Sequence, residues 1–431
     1  MITQIKLQTE EYKETELGLL PKEWEVAKII NIIDFQRGTE VGSDTYNKED
    51  RGIRFLRVVD VSGSRNEIIY TTSKNIKECN ENDVLITFDG SPGVVRKGLS
   101  GAYSSGIRKV VIKSDKVLLD FVYYVLITPF VQKTIQKYSV VVTIKHASKS
   151  IPHIKIPLPP LPEQKSIAFV LSTIQTAKEK TEQVIKATKE LKKSMMKHLF
   201  TYGPVSLEEA EKVKLKETEI GMIPEEWEVV KVKDVFEFTK KPRDLDIKEN
   251  DEILFIPMEF ISESNKSVTW QLKKHSKISS GTFVFKNDLI IAKITPCFEN
   301  GKQAILSNIP NDYAYATTEV WALHPKNGKV INEHLYEILK IPEIRINLAG
   351  KMEGTTGRQR LPKHVLANFK FPLPPLPTQQ KIASILSVID EKIQAEENKK
   401  KALEDLFKSM LHNLMTGRIR VKDLNFGVEN V

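Results

Sequence analysis

The chain is written twice, and that duplication limits its architecture more than any other feature. Lys13–Val26 reads KETELGLLPKEWEV, and Lys216–Val229 repeats it as KETEIGMIPEEWEV. Downstream, IPLPPLPEQKSIAFVLSTI (Ile156–Ile174) recurs as FPLPPLPTQQKIASILSVI (Phe371–Ile389). The second correspondence continues through Lys193-Ser194-Met195 beside Lys408-Ser409-Met410, then Leu199-x-Thr201 beside Leu414-x-Thr416. Two blocks repeated in one order identify a tandem duplication of a unit of about 200 residues. The interiors, 28–150 and 231–366, share only fragments such as Asn82–Ile86 beside Asn287–Ile291. The frames therefore do one job twice, while the interiors are free to read different things.

The closing segments predict long helices. Ile167, Val170, Ile174, Ala177, Thr181, Val184, Thr188, Leu191 and Met195 alternate at three and four, an a/d heptad. Leu171, Ile185 and Leu199 add an apolar e position, widening the stripe into a face that a partner could dock on. Ile382, Ile385, Ile389, Leu403, Leu406 and Met410 keep the register in the second copy, with Leu386 and Leu414 beside them. Lys392, Glu396 and Lys399 interrupt it at a and d positions, predicting local opening or polar pairing. A helix of up to 38 residues spans roughly 57 Å, and two in one chain most simply pair antiparallel. Proline suits the first helical turn but not the interior, so each PLPPLP run reads as a stiff extended hinge aiming its helix.

The implied division is a recognition domain over 1–155, hinge and central helix over 156–203, a second domain over 204–370, and hinge, distal helix and tail over 371–431. The interiors read as mixed α/β. Ile53–Asp60, Val84–Thr87, Lys109–Ile112, Phe283–Phe285, Leu289–Lys293 and Val320–Leu323 suggest strands, and Leu118–Ile127 and Asn332–Ile338 helices. The predicted class is thus α+β: a duplicated mixed domain, each copy followed by a long helix, the helices pairing as an antiparallel coiled coil.

Composition closes off some functions. At 40% hydrophobic and 28% charged the 431 residues can bury real cores. No apolar run approaches the roughly 18 residues of a membrane helix, and MITQIKLQTEEYK has no signal-peptide core. Cys79 and Cys297, far apart and without metal-ligand spacing, read as reduced thiols of a cytoplasmic protein. A net charge of +9 permits a polyanionic partner without demanding one.

Catalytic motifs are missing. There is no GxxxxGK[ST] loop, no glycine-rich cofactor turn with an Asn/Asp-Pro-Pro-aromatic element, and no HxxxH pair. The glycine cluster at Phe88–Gly93 reads as a loop. Glu190-x-Lys192 and Glu397-x-Lys399 resemble part of a nuclease site, but i,i+2 residues of a helix point to different faces, and they read as solvated charges.

Basic and polar residues cluster where DNA contacts make sense. Thr355–Lys363 precedes the second hinge, with Thr356, Arg358, Gln359, Arg360 and Lys363; Val142–Lys149 precedes the first, with Thr143, Lys145, His146 and Lys149. Arginine and lysine bind guanine edges or phosphates, and glutamine pairs with adenine. Arg51, Arg54, Arg57 and Arg65 are further candidates in the first half, and Lys241, Arg243, Lys293 and Lys302 in the second.

The layout resembles the specificity subunit of type I restriction-modification systems. The resemblance covers essentially the whole chain and rests on LPKEW (20–24) and IPEEW (223–227), on PLPPLPEQ (157–164) and PLPPLPTQ (372–379), and on their spacing from the helices. It implies two target recognition domains, each binding half of a split, asymmetric target on double-stranded DNA. It also implies spacer helices that fix the gap and dock two methyltransferase subunits, with restriction subunits joining them. S-adenosylmethionine, Mg²⁺ and ATP would belong to those partners, none to this chain. The resemblance makes Thr143, Lys145, His146, Thr356, Arg358 and Arg360 the leading DNA contacts. Two other readings remain. The specificity half of a single-chain restriction-methylation enzyme would need several hundred further residues with methyltransferase motifs. A duplicated coiled-coil scaffold for a non-DNA partner would lack salt-sensitive DNA binding.

Overall fold

A computed structural model describes residues 11–64, 67–141, 145–326, 328–355 and 357–421. The chain forms two compact units, Met1–Glu182 with Asn398–Val431, and Gln183–Glu397. The central helix (Leu161–Tyr202) and the distal helix (Leu376–Met415) each contribute one part to either unit. Both begin with proline in the first turn. Both are followed by a glycine at positive φ, Gly203 (84°) and Gly417 (64°), the left-handed stop that glycine adopts without a Cβ penalty.

In the first unit the opening block makes a hairpin (Tyr12–Thr15 with Gly18–Pro21) and then a strand, Glu25–Lys28, that pairs antiparallel with Lys155–Leu158. The second unit repeats both, with Leu215–Thr218 and Gly221–Pro224, then Glu228–Lys231 against Lys370–Leu373. The two repeated sequence blocks are therefore hydrogen-bonded to each other. The start of each proline run is an edge strand and not a bare connector, a place where proline's missing N–H is tolerated.

The glutamine ending each PLPPLPxQ is wholly buried and fully bonded. Gln164 Oε1 accepts from Leu118 N (2.9 Å), and its Nε2 donates to Lys116 O and Pro159 O (both 2.8 Å). Gln379 repeats this with Ile331 N, Lys329 O and Pro374 O at 3.1, 2.9 and 2.8 Å. Trp24 and Trp227 are buried beneath the long helices, and Trp24 Nε1 donates to Glu163 Oε2 at 2.8 Å.

The divergent interiors share one topology. The first unit orders Val95–Arg96, Leu85–Thr87, Ile107–Ile112 and Ile33–Arg37 into an antiparallel sheet; the second orders Gln303–Ile305, Leu289–Ala292, Val320–Pro325 and Phe236–Phe238 the same way. A second sheet in each unit carries one parallel pair, Ile53–Leu56 with Gly101–Tyr103 and Glu252–Ile256 with Tyr313–Ala316. The helices Leu119–Leu126 and Asn332–Ile338 fall where the sequence places them. The strand expected over Ile53–Asp60 stops at Leu56, because Asp60 accepts from Arg57 N (2.7 Å) and starts the short helix Val58–Ser62.

The long helices pair antiparallel within each unit. In the second, Lys192 meets Asp390 (2.7 Å) and Lys189 meets Glu397 (2.7 Å); in the first, Glu182 meets Lys400 (3.0 Å), and Ile167 and Leu171 share a core with Leu411 and Leu414. The seam is not the strict heptad. Val184, Leu191 and Leu406 face outward, 40%, 52% and 46% exposed, while Ile185, Ile393 and Phe407 turn inward. A straight helix drifts about 20° per heptad from a 3.5-residue repeat, which moves the seam from d to e.

That drift corrects the docking-face expectation. Leu171, Ile185 and Leu199, read as a docking face, lie in the chain's own cores, as do Ile167, Val170, Ile382, Leu386 and Leu414; Ile174, Ile385, Ile389 and Leu403 are half-buried. At Lys392, Glu396 and Lys399 the helix does not open: Lys392 and Lys399 are exposed, and the expected polar pairing is present between Lys392 and buried Glu396 (2.7 Å). Nor are the Glu-x-Lys pairs simply solvated. Glu190 is exposed, but the Lys192 side chain is only 15% exposed and ion-paired. Cys79 is buried, its thiol pushed up to about 11 chiefly by burial, and Cys297 is half-buried; neither is in a disulfide.

Candidate nucleic-acid interface

Both pre-hinge segments form short hairpins set on the loop that leaves the Leu85–Thr87 or Leu289–Ala292 strand. In the first unit Val140–Val141 pairs with Lys145–His146, and His146 bridges to Asp89. In the second Glu353–Thr355 pairs with Arg358–Arg360, and Arg360 bridges to Ile294. Asp89 and Ile294 each lie two residues past their strand. The duplication has thus kept the placement of a hairpin whose sequence it has not kept. Gly354 needs its freedom, at φ 133°, because a Cβ there would come within 2.6 Å of Arg358 O.

In each hairpin the basic side chain is held by an acid. His146 Nδ1 lies 2.8 Å from Asp89 Oδ1, and buried Arg108 lies 3.8 Å from the same carboxylate. Arg360 closes a two-pronged pair on Glu319 at 2.9 and 2.6 Å, which holds that carboxyl below its ordinary range. Lys293 lies 4.3 Å over the Trp321 ring, and burial lowers its pKa. Lys145 bonds Gln136 (2.5 Å), and Gln359 O accepts from Thr295 N (3.0 Å). Arg358 and Lys149 are exposed. Exposed Lys363 lies 4.4 Å over Phe238. Thr143, Thr356 and Arg65 lie outside the described residues.

The other candidates are not gathered there. Arg51 pairs with Glu49, Arg54 is half-buried in its strand, and Lys241 and Arg243 are exposed on a loop. Arg57 donates to Asp60 (3.1 Å) and to Glu67 O (2.9 Å), and Lys302 to Met258 O (3.0 Å), both serving the fold. Asp89, Arg108, Glu319 and Trp321 escape sequence reasoning. Arg108 and Trp321 sit at matching strand positions, opposite Ile86 and Ile291, a match visible only once the strands are paired. Among the described residues no group of three or more His, Cys, Asp or Glu could hold a metal, and no helix is long and apolar enough to cross a membrane.

Each unit thus carries a short hairpin at the same place on a duplicated frame, and the family is given by the comparisons. The profile of the type I restriction modification DNA specificity domain matches residues 21–190 and 224–405, and the chain belongs to that family. It is 30% identical over 436 residues to the type I restriction enzyme MjaVIII specificity subunit of Methanocaldococcus jannaschii, covering 97% of this chain and 98% of that protein. It is 31% identical over 199 residues to the EcoAI specificity subunit of Escherichia coli, covering 44% and 33%. Its fold matches the type I restriction-modification S subunit from M. genitalium, with a TM-score of 0.60 at 17% identity over 91% of this chain and 96% of that one.

Proposed function

We propose that this chain is a non-catalytic, cytoplasmic specificity subunit whose recognition domains, 1–155 and 204–370, each read one half of an asymmetric split target on double-stranded DNA. The observation that carries this reading is the pair of hairpins, alike in position and different in sequence. Arg358, Gln359, Lys363 and Lys149 would reach base edges or phosphates, while Asp89 and Glu319 orient His146 and Arg360. The long helices set the gap between half-sites.

Two copies of a methyltransferase subunit would dock on the outward helix faces. Glu190, Leu191, Lys193 and Ser194 are exposed, and so are Asp405, Leu406, Lys408 and Ser409 at the duplicated positions. Exposed residues ordinarily drift faster than buried ones, so a matched outer face favours one partner used twice. Restriction subunits join through the complex, and S-adenosylmethionine, Mg²⁺ and ATP serve those partners. A map of methylated bases in the host genome, with and without this gene, tests the reading. A split motif should vanish on deletion; an unchanged map would refute it.

A further inference from the structure

At one level of each unit the long helices meet through residues that the duplication has changed. In the second unit Lys192 of the central helix reaches Asp390 of the distal helix (2.7 and 2.8 Å) and Glu337 of the helix Asn332–Ile338 (3.1 Å). Lys266 completes the cluster, 2.7 Å from Glu337 and 3.9 Å from Asp390. The Glu337 side chain is wholly buried, and those of Lys192, Lys266 and Asp390 are 15%, 20% and 23% exposed.

The duplicated positions in the first unit are Phe407 for Lys192, Gln175 for Asp390 and Tyr124 for Glu337. There the Tyr124 and Phe407 rings pack with centroids 6.2 Å apart. The same place is ionic in one unit and aromatic in the other. Several flanking residues are retained beside the change, Tyr123 and Tyr336, Ile174 and Ile389, Lys193 and Lys408, Met195 and Met410, although Phe121 and His334 differ. The changes are also coupled, since the two lysines and two carboxylates balance.

A chain with two nearly equivalent helices can mispair with a second copy of itself, central against central or distal against distal. We propose that the cluster is a pairing code that makes the central and distal helices mates of each other and bars like-with-like exchange between copies of the chain. The matched arrangement sets Lys192 opposite Asp390 and Phe407 opposite Gln175. Central against central would set Lys192 opposite Gln175, and distal against distal would set Phe407 opposite Asp390. Either mispairing strands a charge at a largely buried seam, and breaking a buried pair costs far more than the intact pair contributes. A single polar seam residue is known to fix register and partner in coiled coils by the same logic.

Two full-length variants remove the asymmetry in opposite directions. Lys192→Phe/Lys266→Met/Glu337→Tyr/Asp390→Gln makes both seam levels uncharged. Gln175→Asp/Phe407→Lys makes both ionic, at half-buried positions that tolerate change if the first variant fails to fold. Two differently tagged copies of one variant are co-expressed and purified over both tags in turn, with a cooperative melt as the check of folding. The wild type should yield only background mixed-tag protein, and each folded variant about tenfold more or above. Folded variants that mix no more than the wild type, or a wild type that mixes freely, would overturn the code.

Discussion

Replacing Gln164 with leucine, similar in volume, removes all three bonds of the hinge clamp without opening a large cavity. The Leu118 N–H and the Lys116 and Pro159 carbonyls then lose their partner. A buried polar group left unpaired costs about 1–3 kcal/mol. Leu118 N and Lys116 O are half-buried and regain some water, so the total should be about 3–5 kcal/mol, a large part of the 5–15 kcal/mol that typically holds a domain. Gln379→Leu should do the same to the second unit, through Ile331 N. Urea unfolding gives the total, and amide exchange gives the location: Gln164→Leu should release the Leu118 amide and leave Ile331 protected. A loss below about 1 kcal/mol, or unchanged protection at Leu118, would refute the clamp as the reason for the motif's glutamine.

Four further outcomes follow. Burial pushes His334 down to about 4, so its contribution is whole above pH 6.5 and lost as pH falls from 6.5 toward 4, about 3 kcal/mol in all. His334→Phe, which installs the residue found at the duplicated Phe121, should flatten the urea midpoint across that window. Arg358→Ala should weaken DNA binding by the assembled complex by about 1–3 kcal/mol. Arg360→Ala should cost at least as much by removing the two-pronged partner of Glu319 and leaving that carboxylate to Lys293, and adding Glu319→Ala should restore part of it; equal binding by the single and double variants at several salt concentrations would remove that pair from the site. Deleting one heptad between Ala177 and Thr188 and its counterpart in the distal helix should change the gap in the methylation map and neither half-site.

Much of the fold was legible because duplication and helical period are carried by neighbouring residues. The hinges, both long helices and their antiparallel pairing are of this kind. What drifted was the seam: Val184 and Leu406 fit a 3.5-residue repeat but face out, because the helix keeps nearer 3.6 residues per turn. The site was legible only as two loops. Its acids, Glu319 and Asp89, lie 41 and 57 residues from Arg360 and His146 and meet them only through sheet pairing. The apolar residues first read as a docking face illustrate the limit, since hydrophobicity marks burial without saying whether the chain or a partner supplies it.

The central claim is that each unit reads its half-site alone. Exchanging residues 28–150 for the corresponding segment of another family member, then mapping methylated adenines in the host, tests it most directly. One half of the split motif should change while the other half and the gap stay as they were. A map in which both halves change, or neither, would contradict the account.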